Sequence, residues 1–98
     1  NVTVNVDETI AKEWLSWMQG THIPDVMNTG IFLKSQINRV IAKDDTGITF
    51  AIAYTCPSMK DLHQYQINFA TKLQQQHVAR YGDKAVAFRT LMEVIQDY

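Results

Sequence analysis

The apolar residues of this 98-residue chain repeat with two periods, in the order two, helical, two, two, helical, two. Period two sends successive side chains to opposite faces of a strand, whereas spacings of three and four build one face of a helix. Residues 2–6 alternate strictly, with Val2, Val4 and Val6 on one side and Thr3 and Asn5 on the other, and predict a strand. Ile10, Trp14, Trp17 and Met18 then make one apolar stripe on a helix over residues 8–19, with Asp7 as its N-cap and Gly20 as its end. Pro24 suits the first turn of a second, short helix that buries Ile23, Val26 and Met27 and closes at Gly30.

Residues 31–42 and 48–56 read as two strands joined by Lys43–Gly47, whose Asp-Asp-Thr-Gly run is good hairpin chemistry. A loop over Asp44–Gly47 sets Ile41 opposite Phe50, Val40 opposite Ala51, Asn38 opposite Ala53 and Ile37 opposite Tyr54. Ser58 and Asp61 form a capping box for a long helix that runs to Tyr81. Leu62, Tyr65, Phe69 and Leu73 are its apolar stripe, His77 and Arg80 lie near its negative end, and Gly82 stops it. Residues 85–95 are the last strand, with Val86, Phe88, Met92 and Val94 on one face and Arg89, Leu91 and Glu93 on the other.

The order β-α-β-β-α-β is the split βαβ, or ferredoxin-like, arrangement: an α+β domain spanning residues 1–98, with a four-stranded antiparallel sheet and its helices on one face. The helix side is expected to carry Val2, Val4, Val6, Phe50, Ile52, Tyr54, Phe88 and Met92. The other face would show Thr49, Ala51, Ala53 and Thr55, with Arg89 and Glu93 from the last strand. A sheet face open to water usually carries charged side chains. Small, nearly uncharged ones permit close approach of another sheet, so this face predicts a homodimer.

Composition removes several function classes. Nine basic and ten acidic residues give a net charge of −1, which offers no basic face for a phosphate backbone. The absence of aromatics at Thr49, Ala51, Ala53 and Thr55 removes a base-stacking platform, so no nucleic acid is expected. No apolar run approaches the ~20 residues of a membrane span. The opening residues lack an export signal, which predicts a cytoplasmic location. The single cysteine, Cys56, excludes an intrachain disulfide and a thiolate zinc cluster. His63 and His77 lie about 21 Å apart along one helix and cannot share a metal. No phosphate loop, nucleophile elbow or paired metal motif is present, so no metal and no cofactor are expected.

One place is left for a site. His22 lies in Thr21-His22-Ile23-Pro24, between the two helical pieces, and histidine is the side chain that titrates near neutrality. A cleft between helices and sheet would offer it Trp17, Tyr54 and Tyr65, whereas Trp14 and Phe69 are read as core. Because Tyr54 falls on the helix side and Arg89 on the other, Tyr54 is the polar partner expected beside His22. Two functions follow: a non-catalytic or ligand-binding dimeric module for a small molecule, or an enzyme that uses His22 as acid or base.

Three stretches carry a resemblance that covers nearly the whole chain. They are Asn1-Val2-Thr3-Val4-Asn5-Val6-Asp7, the block from Trp14-Leu15 and Trp17-Met18 to His22-Ile23-Pro24, and Phe88-Arg89-Thr90 with Glu93-Val94-Ile95. The chain resembles the uncharacterised bacterial family known as domain of unknown function 4286. That resemblance implies a ferredoxin-like domain similar to the dimeric α+β barrel superfamily, which includes cofactor-free monooxygenases. It implies no activity and no catalytic residue.

Overall fold

The computed structural model describes residues 1–42 and 46–98. Its elements are β1 (Val2–Val6), α1 (Ala11–Trp17), α2 (Ile23–Met27), β2 (Lys34–Arg39), β3 (Ile48–Thr55), α3 (Met59–Tyr65), α4 (Thr71–Tyr81) and β4 (Ala85–Arg89). The strands form one antiparallel sheet in the order β2-β3-β1-β4, and the fold is α+β. Val4, Val6, Phe50 and Ile52 from the sheet pack with Ala11, Trp14, Met18 and Tyr81 from the helices. No helix among the described residues is long and apolar enough to cross a membrane.

The first helical unit does not break at Gly20. A wide turn with i→i+5 bonding, Met18–His22, joins α1 to α2 and carries Gly20 inside it. Pro24 has no N–H, and its ring crowds the carbonyl four residues back, so the extra residue of a wide turn just before it relieves the conflict. Asp7 caps a preceding turn instead of the helix: its Oδ1 accepts from the Thr9 N–H at 2.9 Å and the Thr9 hydroxyl at 2.6 Å. The N-cap position falls to Ile10, and α1 starts at Ala11.

The second unit opens on the expected box. Ser58 Oγ accepts from the Asp61 N–H at 3.3 Å and donates to the Asp61 carboxylate at 2.6 Å. A second wide turn, Gln66–Ala70, joins α3 to α4. One added residue rotates everything beyond it by about 100°. Ala70, 7% exposed, therefore takes the inward place expected for Phe69, which is 36% exposed. The inner face then continues through Leu73, His77 and Tyr81, so His77 turns into the core instead of serving the helix end.

The hairpin register differs by two residues from the expected one. Ile37 lies opposite Ile52, Asn38 opposite Ala51 and Arg39 opposite Phe50. The Val40 N–H bonds to Thr49 O at 2.8 Å. A shift of two keeps every side chain on its own face, so the apolar period cannot choose between these registers. The expected loop falls partly on Lys43, Asp44 and Asp45, which lie outside the described residues. Gly47 adopts φ +80, and a Cβ there would sit 2.6 Å from Val6 O, so Gly47 packs against the end of β1. The preceding strand is shorter than residues 31–42, with Ile31 and Phe32 left in the approach to it.

β4 corrects two expectations. It ends at Arg89 and not at residue 95, and just beyond it the Thr90 N–H bonds to Asn1 O at 2.8 Å. Its faces are also reversed. Ala85, Ala87 and Arg89 lie opposite Val6, Val4 and Val2 and share their helix side, while Val86 and Phe88 lie opposite Asn5 and Thr3 on the open face. Phe88 and Met92 are 62% and 71% exposed. Ala85 is buried and belongs to the same core cluster as Trp14 and Tyr81. Hydrophobicity alone ranks Val86 and Phe88 as the inner set because it takes no account of the register with β1.

These placements separate two aromatic substitutions. Trp14→Phe leaves a buried imidazole without its N–H donor and opens a small cavity; it should cost about 2–3 kcal/mol in urea unfolding. Phe69→Ala, on the outer side of the wide turn, should cost less than about 1 kcal/mol. Equal losses would contradict the rotation assigned to that turn.

Candidate functional site

The two wide turns lie beside the same space. Met18–His22 carries His22 to the sheet, and Gln66–Ala70 rotates α4 so that His77 faces α1. The ends of β3 and β4 supply Tyr54 and Arg89, α3 supplies Tyr65, and the segment before β2 supplies Phe32. Together these six side chains line a cavity of about 680 Å³ between helices and sheet. Its remaining wall is largely apolar and includes Val2, Val4, Ile52, Leu62 and Leu73.

His77 is held by a single buried bond. Trp14 Nε1–H donates to His77 Nε2 at 2.9 Å. A nitrogen that accepts carries no proton, so neutral His77 bears its proton on Nδ1. The His22 ring lies 6.0 Å from the His77 ring and stacks on Trp17 at 5.0 Å and 28°. Trp17 thus backs His22 and is not itself part of the cavity wall. Arg80 covers Trp17 from outside, 5.3 Å from the ring centroid, and is held by Glu13 at 2.7 Å. Across the space, Phe32 packs on Tyr54 at 5.2 Å and on Tyr65 at 4.8 Å.

The electrostatics of the wall follow from burial and one guanidinium. Burial, then the charges of His77 and Arg89, push His22 down from 6.5 to about 4, against a weaker opposing pull from Asp25. Burial and Arg89 lower His77 as well. Burial raises the phenols of Tyr54 and Tyr65, with Arg89 opposing in both cases. At neutral pH both imidazoles are uncharged and both phenols keep their protons. His22 Nδ1 is buried with no hydrogen-bond partner, an uncommon state for a polar atom inside a protein.

His22, Tyr54 and Tyr65 come together in one cavity, with Trp17 behind them. Arg89 does not lie on the open sheet face: the reversal of β4 places it on the same cavity as Tyr54 and His22, and neither group hydrogen-bonds to His22. Glu93 lies beyond the end of β4, on the segment that runs past the cavity mouth. Thr49, Ala51, Ala53 and Thr55 lie on the open face, opposite in register to Asn5, Thr3, Gln36 and Lys34. The sequence places His77 at the helix end and Phe32 in a strand, and neither is expected in the cavity. The spacing Leu73, His77, Tyr81 is the signal that would have found the histidine, since steps of four mark one helix face. Cys56 is a free thiol against Ser58 O at 3.4 Å. Among the described residues no three His, Cys, Asp or Glu side chains gather into a metal-binding group.

Compared with known proteins, residues 1–95 match the family described as Domain of unknown function (DUF4286). No curated protein and no solved structure matches the chain.

The histidines make stability depend on pH. The unfolded chain protonates His22 near 6.5 and the fold does so only near 4, so between these values the unfolded state binds more protons. Stability should be full above about pH 6.5 and fall as pH drops toward about 4, with His77 adding to the same slope. Urea midpoints across that range should fall on acidification in the parent and fall less steeply in His22→Gln. A midpoint that rises on acidification would refute the assignment.

Proposed function

The chain belongs to the Domain of unknown function (DUF4286) family, and we propose that it is a small-molecule-binding module that works as a homodimer. The observation that carries the binding reading is the cavity of about 680 Å³, within the range of about 300–1,000 Å³ usual for ligand sites, with apolar walls and a few converging polar groups. Binding is favoured over catalysis by a monooxygenase- or isomerase-like route. A general base works best with a proton affinity near the operating pH, and His22, at about 4, is a weak proton acceptor at neutrality.

The element order and the strand order β2-β3-β1-β4 support a ferredoxin-like reading, and the open sheet face supports a dimer of the α+β barrel kind. The occupant of that face is a second copy. Its centre is Thr3, Ala51 and Ala53, flanked by Val86 and Phe88 at 59% and 62% exposure, with Lys34 as its charged side chain at the β2 edge. Small residues beside exposed large ones make the face complementary to itself, as a two-fold interface requires.

Two measurements test these readings. Naphthalene-2-methanol, a neutral bicyclic molecule that fits the cavity, should perturb amide NMR signals of Val4, Leu62 and Leu73 and not those of Ala51 and Ala53. Ala87→Phe, which fills the space from β4, should abolish the perturbation; unperturbed spectra of the parent would sink the binding reading. For the dimer, Ala53→Arg puts an unpaired charge into the interface and should weaken association at least about a hundredfold, giving monomer in sedimentation where the parent gives dimer. A parent that is monomeric at high micromolar concentration would refute the interface.

A further inference from the structure

Arg89 is an exposed cation at the end of β4 that borders the cavity. The register of β4 sets it opposite Val2 on the helix side of the sheet, and it lines the cavity. Among the described residues it forms no ion pair, whereas Arg80 has Glu13. A guanidinium presents five N–H donors in a planar fork and is best satisfied by a two-oxygen anion. Among the other polar groups that line the cavity, His77 can offer its Nδ1–H and Tyr54 and Tyr65 their hydroxyls. The one acidic side chain among the lining residues is Glu93, which is exposed on the segment past the mouth. Val2, Val4, Ile52, Leu62, Leu73 and Phe32 supply an apolar stretch of wall for the rest of a ligand, with Gln66, Gln74 and Ser58 as further polar lining.

We propose that the cavity takes an apolar or aromatic monocarboxylate, with its carboxylate on the Arg89 guanidinium and the His77 Nδ1–H and its hydrocarbon body against the wall below. This rests on the binding reading above and specifies its ligand class. A single guanidinium matches a single negative charge. A phosphate monoester carries nearly two at neutral pH, and the uncharged imidazoles supply no second cation. The Trp14 bond contributes directly, because holding His77 Nε2 as acceptor is what leaves Nδ1–H as a donor for the ligand.

The test compares naphthalene-2-carboxylate with naphthalene-2-carboxamide, which have the same shape and differ in charge, by calorimetric titration at neutral pH. The carboxylate should bind the parent at least about tenfold more tightly than the amide. Arg89→Gln should remove that preference and leave amide binding within about twofold, since the hydrocarbon wall is untouched. Equal affinities in the parent, or a preference that survives Arg89→Gln, would overturn the carboxylate assignment while the cavity reading stands. If neither probe binds, the cavity reading fails and this inference with it. Tighter binding of 2-naphthyl phosphate than of the carboxylate would overturn the choice of a monoanion. Glu93→Gln should change carboxylate affinity by less than about threefold; a larger gain would identify Glu93 as the native partner of Arg89 and overturn the proposal.

Discussion

The hydrogen bond from Trp14 to His77 is the contact on which this molecule depends. It is buried and crosses between the two helical units, sixty-three residues apart in the chain. On its sheet side Trp14 lies 4.9 Å from Phe50, so one side chain ties both helical units to the central strands. The net contribution of such a bond is about 1 kcal/mol, but leaving a buried acceptor unpaired costs about 1–3 kcal/mol. That asymmetry gives the pair its structural weight. It also fixes which nitrogen of His77 carries the proton, so the same contact that locks the helices decides what the cavity wall offers to a ligand.

The wide turns explain how two ordinary amphipathic helices come to enclose a space. A regular helix running through residues 59–81 would keep Phe69 inside, where its ring would compete for the room between α4 and the sheet. The turn at Gln66–Ala70 replaces it with an alanine methyl and turns His77 inward. The turn at Met18–His22 sets the His22 ring against Trp17 and beside His77. Wide turns of this type recur at functional sites because they re-aim side chains without ending the helix. Here both lie on the same cavity.

The facing of β4 is set by its pairing with β1 and not by its own hydrophobicity. Its register sets Ala85, Ala87 and Arg89 opposite the inward valines of β1, so Val86 and Phe88 go to the open face. One reversal therefore gives the cavity its cation and gives the open face its exposed apolar pair. Candidate site and candidate interface lie on opposite sides of one strand and are set by the same strand pairing.

Local chemistry alone settled much of this molecule. Strict alternation at Val2, Val4 and Val6, the Ser58–Asp61 box, the helical stripes and the order of periods defined the elements, and they placed His22, Tyr54 and Tyr65 on the side where they meet. These features depend on residues near one another in sequence, where sterics and capping act independently of the rest of the fold. Three matters were left to the tertiary structure. The hairpin register is degenerate under a shift of two, because both registers bury the same faces. The facing of β4 depends on its register against the inward valines of β1, which the strand's own pattern does not contain. The role of His77 depends on a wide turn seven residues earlier and on a tryptophan in another helix. Packing volume and long-range hydrogen bonding are properties of the assembled core, so only the fold could decide which residues share the cavity.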